Sequence, residues 1–152
     1  MRKKHVIMAN ILLLIWFSMG MLGFSIGNHV LVQEAWFEID GIWNLIFVGL
    51  LILFVVREKY GKYPLSAFLL IWIIAQFRVH WYYTIFGATL ERIESYNRYY
   101  SNTLNLIPSS DIRIIPDLWH IVLHLFVIVA SVITISYCLK VSREKRSSTK
   151  TV

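Results

Sequence analysis

Four long apolar segments divide the chain, at roughly residues 5–27, 36–56, 64–86 and 116–139. Each is about 20 residues long, which is enough at 1.5 Å per residue to cross the roughly 30 Å hydrocarbon core of a bilayer. The pattern predicts an all-α integral membrane protein. We expect four transmembrane helices in one bundle, and residues 1–152 as a single polytopic domain whose first partner is the lipid bilayer.

The segments at the ends of these helices are alternately rich in basic and in acidic residues along the chain. Basic residues occupy the N-terminus, the connector between the second and third helices, and the C-terminus; they are Arg2, Lys3, Lys4, Arg57, Lys59, Lys62, Lys140, Arg143, Lys145, Arg146 and Lys150. Acidic residues dominate the other side of the bundle, which holds Glu34, Glu38, Asp40, Glu91, Glu94, Asp111 and Asp117. The positive-inside rule then predicts a cell-membrane protein with both termini in the cytoplasm. The net charge of +6 follows from this topology, so no nucleic-acid partner is expected.

Three further segments have features of their own. The outer loop between the third and fourth helices is long, and its helical spacing predicts an amphipathic helix that includes Leu90, Ile93, Asn97, Tyr100 and Leu104. Tyrosines and tryptophans near this loop are typical of anchors at a membrane interface. Gly23 and Gly27 form a G-x-x-x-G pattern, which favours close helix packing. The residues at 140–152 predict a flexible basic cytoplasmic tail.

A polar pair with i,i+4 spacing occurs in three of the four apolar segments. The pairs are Asp40/Asn44, Gln76/His80 and His120/His124. Residues four apart share a helix face, and the predicted topology places all three pairs roughly 6 to 12 Å below the outer boundary. Polar groups inside a membrane are costly and usually face the bundle interior or a water-filled cavity. The sequence therefore predicts an intramembrane polar layer in the outer leaflet.

The composition of this layer suits a divalent metal, with zinc favoured. Three imidazoles and one carboxylate are common zinc ligands, and here they would be His80, His120, His124 and Asp40. The residues expected to orient those ligands are Asn44, Gln76, Asp117 and Glu38. An open coordination position would activate water for hydrolysis of a lipid or an amide at the outer leaflet. Arg78 is rotated about 200° from Gln76 on the helix and is expected to contact lipid headgroups.

The H-x-x-x-H of His120 and His124 on the last helix resembles the zinc site of the alkaline ceramidase and adiponectin-receptor membrane hydrolases. Those proteins hold zinc with three histidines, two of them in this arrangement. The resemblance covers these few residues only. Four helices are expected here where that family has seven, and the family's serine-containing motif has no clear counterpart. What the resemblance implies is therefore the chemistry of a zinc-dependent hydrolase.

Three interpretations of the layer remain open. The favoured one is an accessory, immunity-like or regulatory membrane protein, whose layer binds a ligand or holds the helices together and whose partner is a larger membrane complex or a second copy. The alternative is a zinc-dependent membrane hydrolase. The second alternative is a b-type haem between His80 and a histidine of the last helix. Transport is less favoured, because one polar layer near one surface gives no continuous pathway. The single cysteine, Cys138, excludes chemistry that needs a cysteine pair.

Overall fold

The computed structural model describes residues 2–100 and 103–150, with side chains described as far as residue 147. The elements in chain order are α1 (Lys3–Leu22), β1 (Phe24–Ile26), β2 (His29–Val32), α2 (Ile39–Val56), α3 (Glu58–Gln76), a π-helical turn (Phe77–Trp81), α4 (Tyr82–Phe86), α5 (Leu90–Tyr99) and α6 (Leu118–Lys150). Within the described residues, four stretches are long and apolar enough to cross a membrane: Lys3–Leu22, Ile39–Val56, Glu58–Phe86 and Leu118–Ser147. A mostly helical protein with four candidate spans is therefore confirmed.

The four spans pack in a ring. Helix α1 contacts α2 and α6, and α3 contacts the same two helices from the opposite side. Aromatic rings fill the centre: Trp72 lies 4.6 Å from Phe17 and 5.5 Å from Phe47, measured between ring centroids. All three of these side chains are almost fully buried. Because α3 lies between α2 and α6, the three helices that carry the polar pairs are brought to one side of the bundle.

A β-hairpin follows α1, where the sequence predicts a continuing helix and then a short loop. Gly23 has φ +70° and Gly27 has φ +59°, so both occupy the left-handed region that favours glycine. A Cβ added at Gly27 would meet no heavy atom within 4 Å. The prediction that these glycines pack helices together is therefore wrong: Gly23 ends α1 and Gly27 forms the hairpin turn. The backbone N–H of Leu104 donates to the carbonyl of Val30 (3.0 Å), which ties the long loop to the hairpin.

Two helix boundaries also differ from the prediction. Helix α3 begins at Glu58, so Pro64 lies inside it and does not open it. Helix α6 continues to Lys150, through most of the segment expected to be a flexible tail from 140; residues 151–152 lie outside the described residues. An i,i+4 ion pair between Lys140 and Glu144 (3.7 Å) supports this extension. The predicted helix in the long loop is present as α5, although it ends at Tyr99, before Leu104.

Candidate functional site

A cavity of about 530 Å³ lies between these elements, and we call it the main cavity because most of the predicted site residues line it. Its walls come from the start of α2, from α3 and the π-helical turn, from α5, and from the start of α6. Five of the predicted site residues line it: Glu38, Asp40, Gln76, His80 and His120. Aromatic side chains supply much of the remaining wall: Trp43, Trp72, Tyr96, Tyr99, Tyr100 and Trp119. The tertiary structure thus brings residues from all three helices that carry the predicted polar pairs to the wall of one cavity.

His120 is held in one orientation by Asp117, three residues before it. Oδ1 of Asp117 accepts the backbone N–H of His120 (2.9 Å) and lies 2.7 Å from its Nδ1. Burial on its own would raise the pKa of Asp117, but the hydrogen bonds from the side chain and the backbone of His120 outweigh it and lower the pKa below its usual value. An ionised carboxylate only accepts, so Nδ1 must carry the proton. In the neutral imidazole, the free lone pair is then on Nε2.

His80 faces His120 across the cavity base, with 4.4 Å between the two ring centroids. Its Nδ1 lies 3.0 Å from the hydroxyl of Tyr96 on α5, which leaves Nε2 with no partner among the described residues. His80 belongs to the π-helical turn, and such turns are frequent at functional sites because the extra residue re-aims the side chains that follow. Burial raises the pKa of Tyr96 and of Tyr100, so both hydroxyls remain protonated at neutral pH.

His124 is turned away from the main cavity. Its Nδ1 accepts the indole N–H of Trp81 (2.6 Å), which can only donate. The proton must therefore be on Nε2, which donates to Oε1 of Gln76 (2.8 Å). Both ring nitrogens are thus used in joining α6 to α3 and the π-helical turn. His124 lines a second, mostly apolar cavity of about 260 Å³, and Gln76 borders both cavities.

The remaining predicted residues lie elsewhere. Asn44 is buried, and its Nδ2 donates to Oγ of Ser18 on α1 (3.4 Å). Arg78 is exposed, and its guanidinium lies 4.5 Å above the ring of Tyr82. Its Nη1 also donates to the hydroxyl of Tyr83 (3.2 Å). The predicted headgroup contact of Arg78 stays a prediction.

The predicted metal ligands are divided between two environments. His80, His120 and Asp40 line the main cavity, whereas both nitrogens of His124 are already hydrogen-bonded. Among the described residues, no group of three or more His, Cys, Asp or Glu side chains is arranged to hold a metal ion. The zinc site therefore stays a prediction. A bis-histidine haem does not fit this arrangement, because ring centroids 4.4 Å and 5.2 Å apart leave no room for a porphyrin between His80 and either histidine of α6.

Aromatic residues are the part of the site that sequence reasoning missed. It assigned the tryptophans and tyrosines near the long loop to a membrane-interface belt. In the structure Tyr96 contacts His80, Trp81 contacts His124, and Tyr100 lies 5.0 Å from His120 between ring centroids. The clustering of tyrosines at 96, 99 and 100, within the predicted amphipathic helix of the long loop, was the available signal, since i and i+4 positions share a face.

Comparison with known proteins adds no assignment: no protein-family model, curated protein or solved structure matches this chain.

Proposed function

We propose that this protein is a multi-pass cell-membrane protein that binds a small ligand in the main cavity. One observation carries the proposal. Asp40, His80 and His120, which come from three different helical segments, line a single cavity of about 530 Å³. Ligand pockets in proteins commonly range from roughly 300 to 1,000 Å³. A regulatory or accessory role, exercised by ligand binding, fits this arrangement better than a purely structural one.

The contrast between His120 and His124 supports this view. A polar side chain that only holds helices together uses its hydrogen-bonding groups on neighbouring side chains, as His124 does with both nitrogens. His120 uses only Nδ1 in this way, and its Nε2 has no partner among the described residues. The side chain is nevertheless almost completely buried, with 7% of its surface exposed. An oriented nitrogen without a protein partner, on a largely buried side chain that lines a cavity, is suited to a ligand.

The same proposal places the main cavity on the outer side of the membrane, with both termini in the cytoplasm. The basic residues at the N-terminus, the α2–α3 connector and the end of α6 support this topology. Replacing Cys138 by serine gives a background for single-cysteine labelling. A cysteine at Glu34, beside the hairpin, is expected to react with an impermeant maleimide in intact cells. A cysteine at Arg146 is expected to react only after lysis, and the reverse result would overturn the topology.

Ligand binding can be tested without knowing the ligand. The purified full-length protein is screened in detergent against metal ions, amines, carboxylates, phosphates and neutral compounds, with melting temperature as the readout. We expect at least one class to stabilise the wild type but not His120→Asn, whose amide can still donate to Asp117 but which lacks Nε2. His29→Asn, an exposed position in β2, is the matched control. If every stabilising compound acts equally on wild type and His120→Asn, the proposal is wrong.

A second candidate is a divalent metal in the same cavity, as a zinc-dependent hydrolase would require. It is favoured by the close approach of two imidazoles whose Nδ1 atoms are both engaged, which leaves two Nε2 atoms and the carboxylate of Asp40 as ligands. Elemental analysis distinguishes a metal held by His80, His120 and Asp40 in the main cavity from a metal held jointly by the H-x-x-x-H residues His120 and His124. If the cavity holds the metal, His120→Asn loses it and His124→Asn retains it. If both variants lose it, the two histidines of α6 act together, and a metal-free wild type rejects the candidate.

A further inference from the structure

No basic side chain among the described residues forms an ion pair with the acidic side chains of the main cavity. Glu38 and Asp40 both line the cavity, and neither forms an ion pair with any other described residue. Arg92 also borders the cavity, but its guanidinium lies 4.1 Å above the ring of Tyr83. Asp40 is only partly exposed, so its charge acts in surroundings of reduced polarity. A cationic ligand would supply the missing partner.

The aromatic side chains of the same cavity also favour a cation. The cavity that Glu38 and Asp40 line is also lined by aromatic residues: Trp43 from α2, Tyr96 and Tyr99 from α5, Tyr100 directly after α5, and Trp119 from α6. The face of an indole or phenol ring attracts a cation within about 6 Å of its centroid, and this attraction reaches roughly 2 kcal/mol when the site is desolvated. Aromatic walls combined with a carboxylate are a known way to recognise an organic ammonium group, which is too large and too weakly hydrated to need a full shell of oxygen ligands.

His120 determines which kind of hydrogen-bonding group the ligand needs. In its neutral form the imidazole offers Nε2 as an acceptor, because Asp117 holds the proton on Nδ1. The side chain is more than nine-tenths buried and lines the cavity. A ligand that reaches the cavity base would therefore donate a hydrogen bond, from an ammonium N–H or from a hydroxyl close to the charged nitrogen.

We propose that the ligand of the main cavity is a small organic ammonium compound with a hydrogen-bond donor, held by Asp40 and Glu38, by the surrounding aromatic rings and by His120. The inference rests on the proposed function and names its ligand class. The ammonium group comes either from a free amine or from a phospholipid headgroup, since both reach a cavity at the membrane surface.

Binding to the purified full-length protein in an uncharged detergent tests the charge requirement. The probe is choline, and its uncharged isostere 3,3-dimethyl-1-butanol is the matched control compound. Titrations are followed by calorimetry and by tryptophan fluorescence, because Trp43 and Trp119 line the cavity. Losing a contact of roughly 2 kcal/mol weakens binding more than tenfold. We therefore expect the isostere to bind at least tenfold more weakly than choline.

Two variants test the residues. Asp40→Asn is expected to weaken choline binding about tenfold, and Tyr99→Leu, at an exposed position of α5, several-fold. Glu34→Gln removes an exposed acid that does not line the cavity, and it is expected to leave binding unchanged. Equal binding of choline and its isostere, or equal effects of Asp40→Asn and Glu34→Gln, would overturn the inference. Melting temperatures of the free variants show whether each is folded.

Nanodiscs separate the two sources of the ammonium group. If the headgroup is the ligand, choline binds more weakly in phosphatidylcholine discs than in discs of an uncharged glycolipid, because the lipid competes and neither net-neutral surface attracts the cation. If a free amine is the ligand, the two discs give the same affinity. Failure of this inference is also distinct from failure of the proposed function. Stabilisation by anions, neutral compounds or zinc that depends on His120, with none by choline, rejects the ammonium and retains the ligand site.

Discussion

Removing the carboxylate of Asp117 should destabilise the protein and release His120. In Asp117→Ala, the backbone N–H of His120 loses an N-terminal helix cap worth roughly 0.5–2 kcal/mol. The imidazole Nδ1–H loses a hydrogen bond to a charged group, worth roughly 1.5–3 kcal/mol. The two losses together predict a decrease of roughly 2–5 kcal/mol in the free energy of unfolding. Asp117→Asn keeps an acceptor oxygen for both donors, so we expect a loss of only about 1 kcal/mol.

Two measurements check this prediction. Unfolding in mixed detergent micelles by increasing the fraction of sodium dodecyl sulfate gives the free energies. The ¹⁵N chemical shifts of the histidine rings report which nitrogen carries the proton. We expect the Nδ1–H form for His120 in the wild type and in Asp117→Asn, and a mixture in Asp117→Ala. Asp111→Ala, at an exposed acid of the same loop, is the control. A loss for Asp117→Ala that matches this control, or an unchanged His120 tautomer, would refute the reasoning.

Three further substitutions test the packing around the site. A Cβ at Gly20 would lie 2.7 Å from Cζ2 of Trp119, so Gly20→Ala should lower the free energy of unfolding by about 1–3 kcal/mol. The loss should be smaller in a Trp119→Phe background. An equal loss in both backgrounds would show that the indole is not the obstacle. Trp81→Phe removes the hydrogen-bond donor to His124 and should lower the free energy of unfolding by roughly 0.6–1.7 kcal/mol in the same assay. Trp36→Phe, at an exposed position, is the control and should change it by less than about 0.5 kcal/mol. Gly23→Ala should lower the melting temperature, because alanine is strained at the φ of +70° that Gly23 adopts. Gly49→Ala is the control: it lies inside α2, where an added Cβ meets no heavy atom within 4 Å, and it should leave the melting temperature unchanged or raise it. Equal effects of the two substitutions would contradict the explanation from backbone strain.

The sequence by itself determined that four helices are long and apolar enough to cross a membrane, and it grouped four of the polar residues that line the main cavity. Both follow from local properties of the chain. The length of an apolar segment decides whether it can cross a bilayer, and residues four apart lie on one helix face wherever that helix packs. For this reason Asp40, Gln76, His80 and His120 could be placed in one layer, roughly 6 to 12 Å below the outer boundary, and all four line the main cavity.

The tertiary structure decided how that layer is used. The π-helical turn at Phe77–Trp81 brings Trp81 to His124, so a histidine grouped with His120 by spacing faces a different cavity. Tyr96 and Tyr100 belong to the site only because α5 and the residue that follows it line the main cavity, although tyrosines at these positions are equally typical of an interface anchor. The role of each of these side chains depends on which residue of another helix it contacts. Those contacts join residues far apart in the sequence, and the periodicity of one segment carries no information about them.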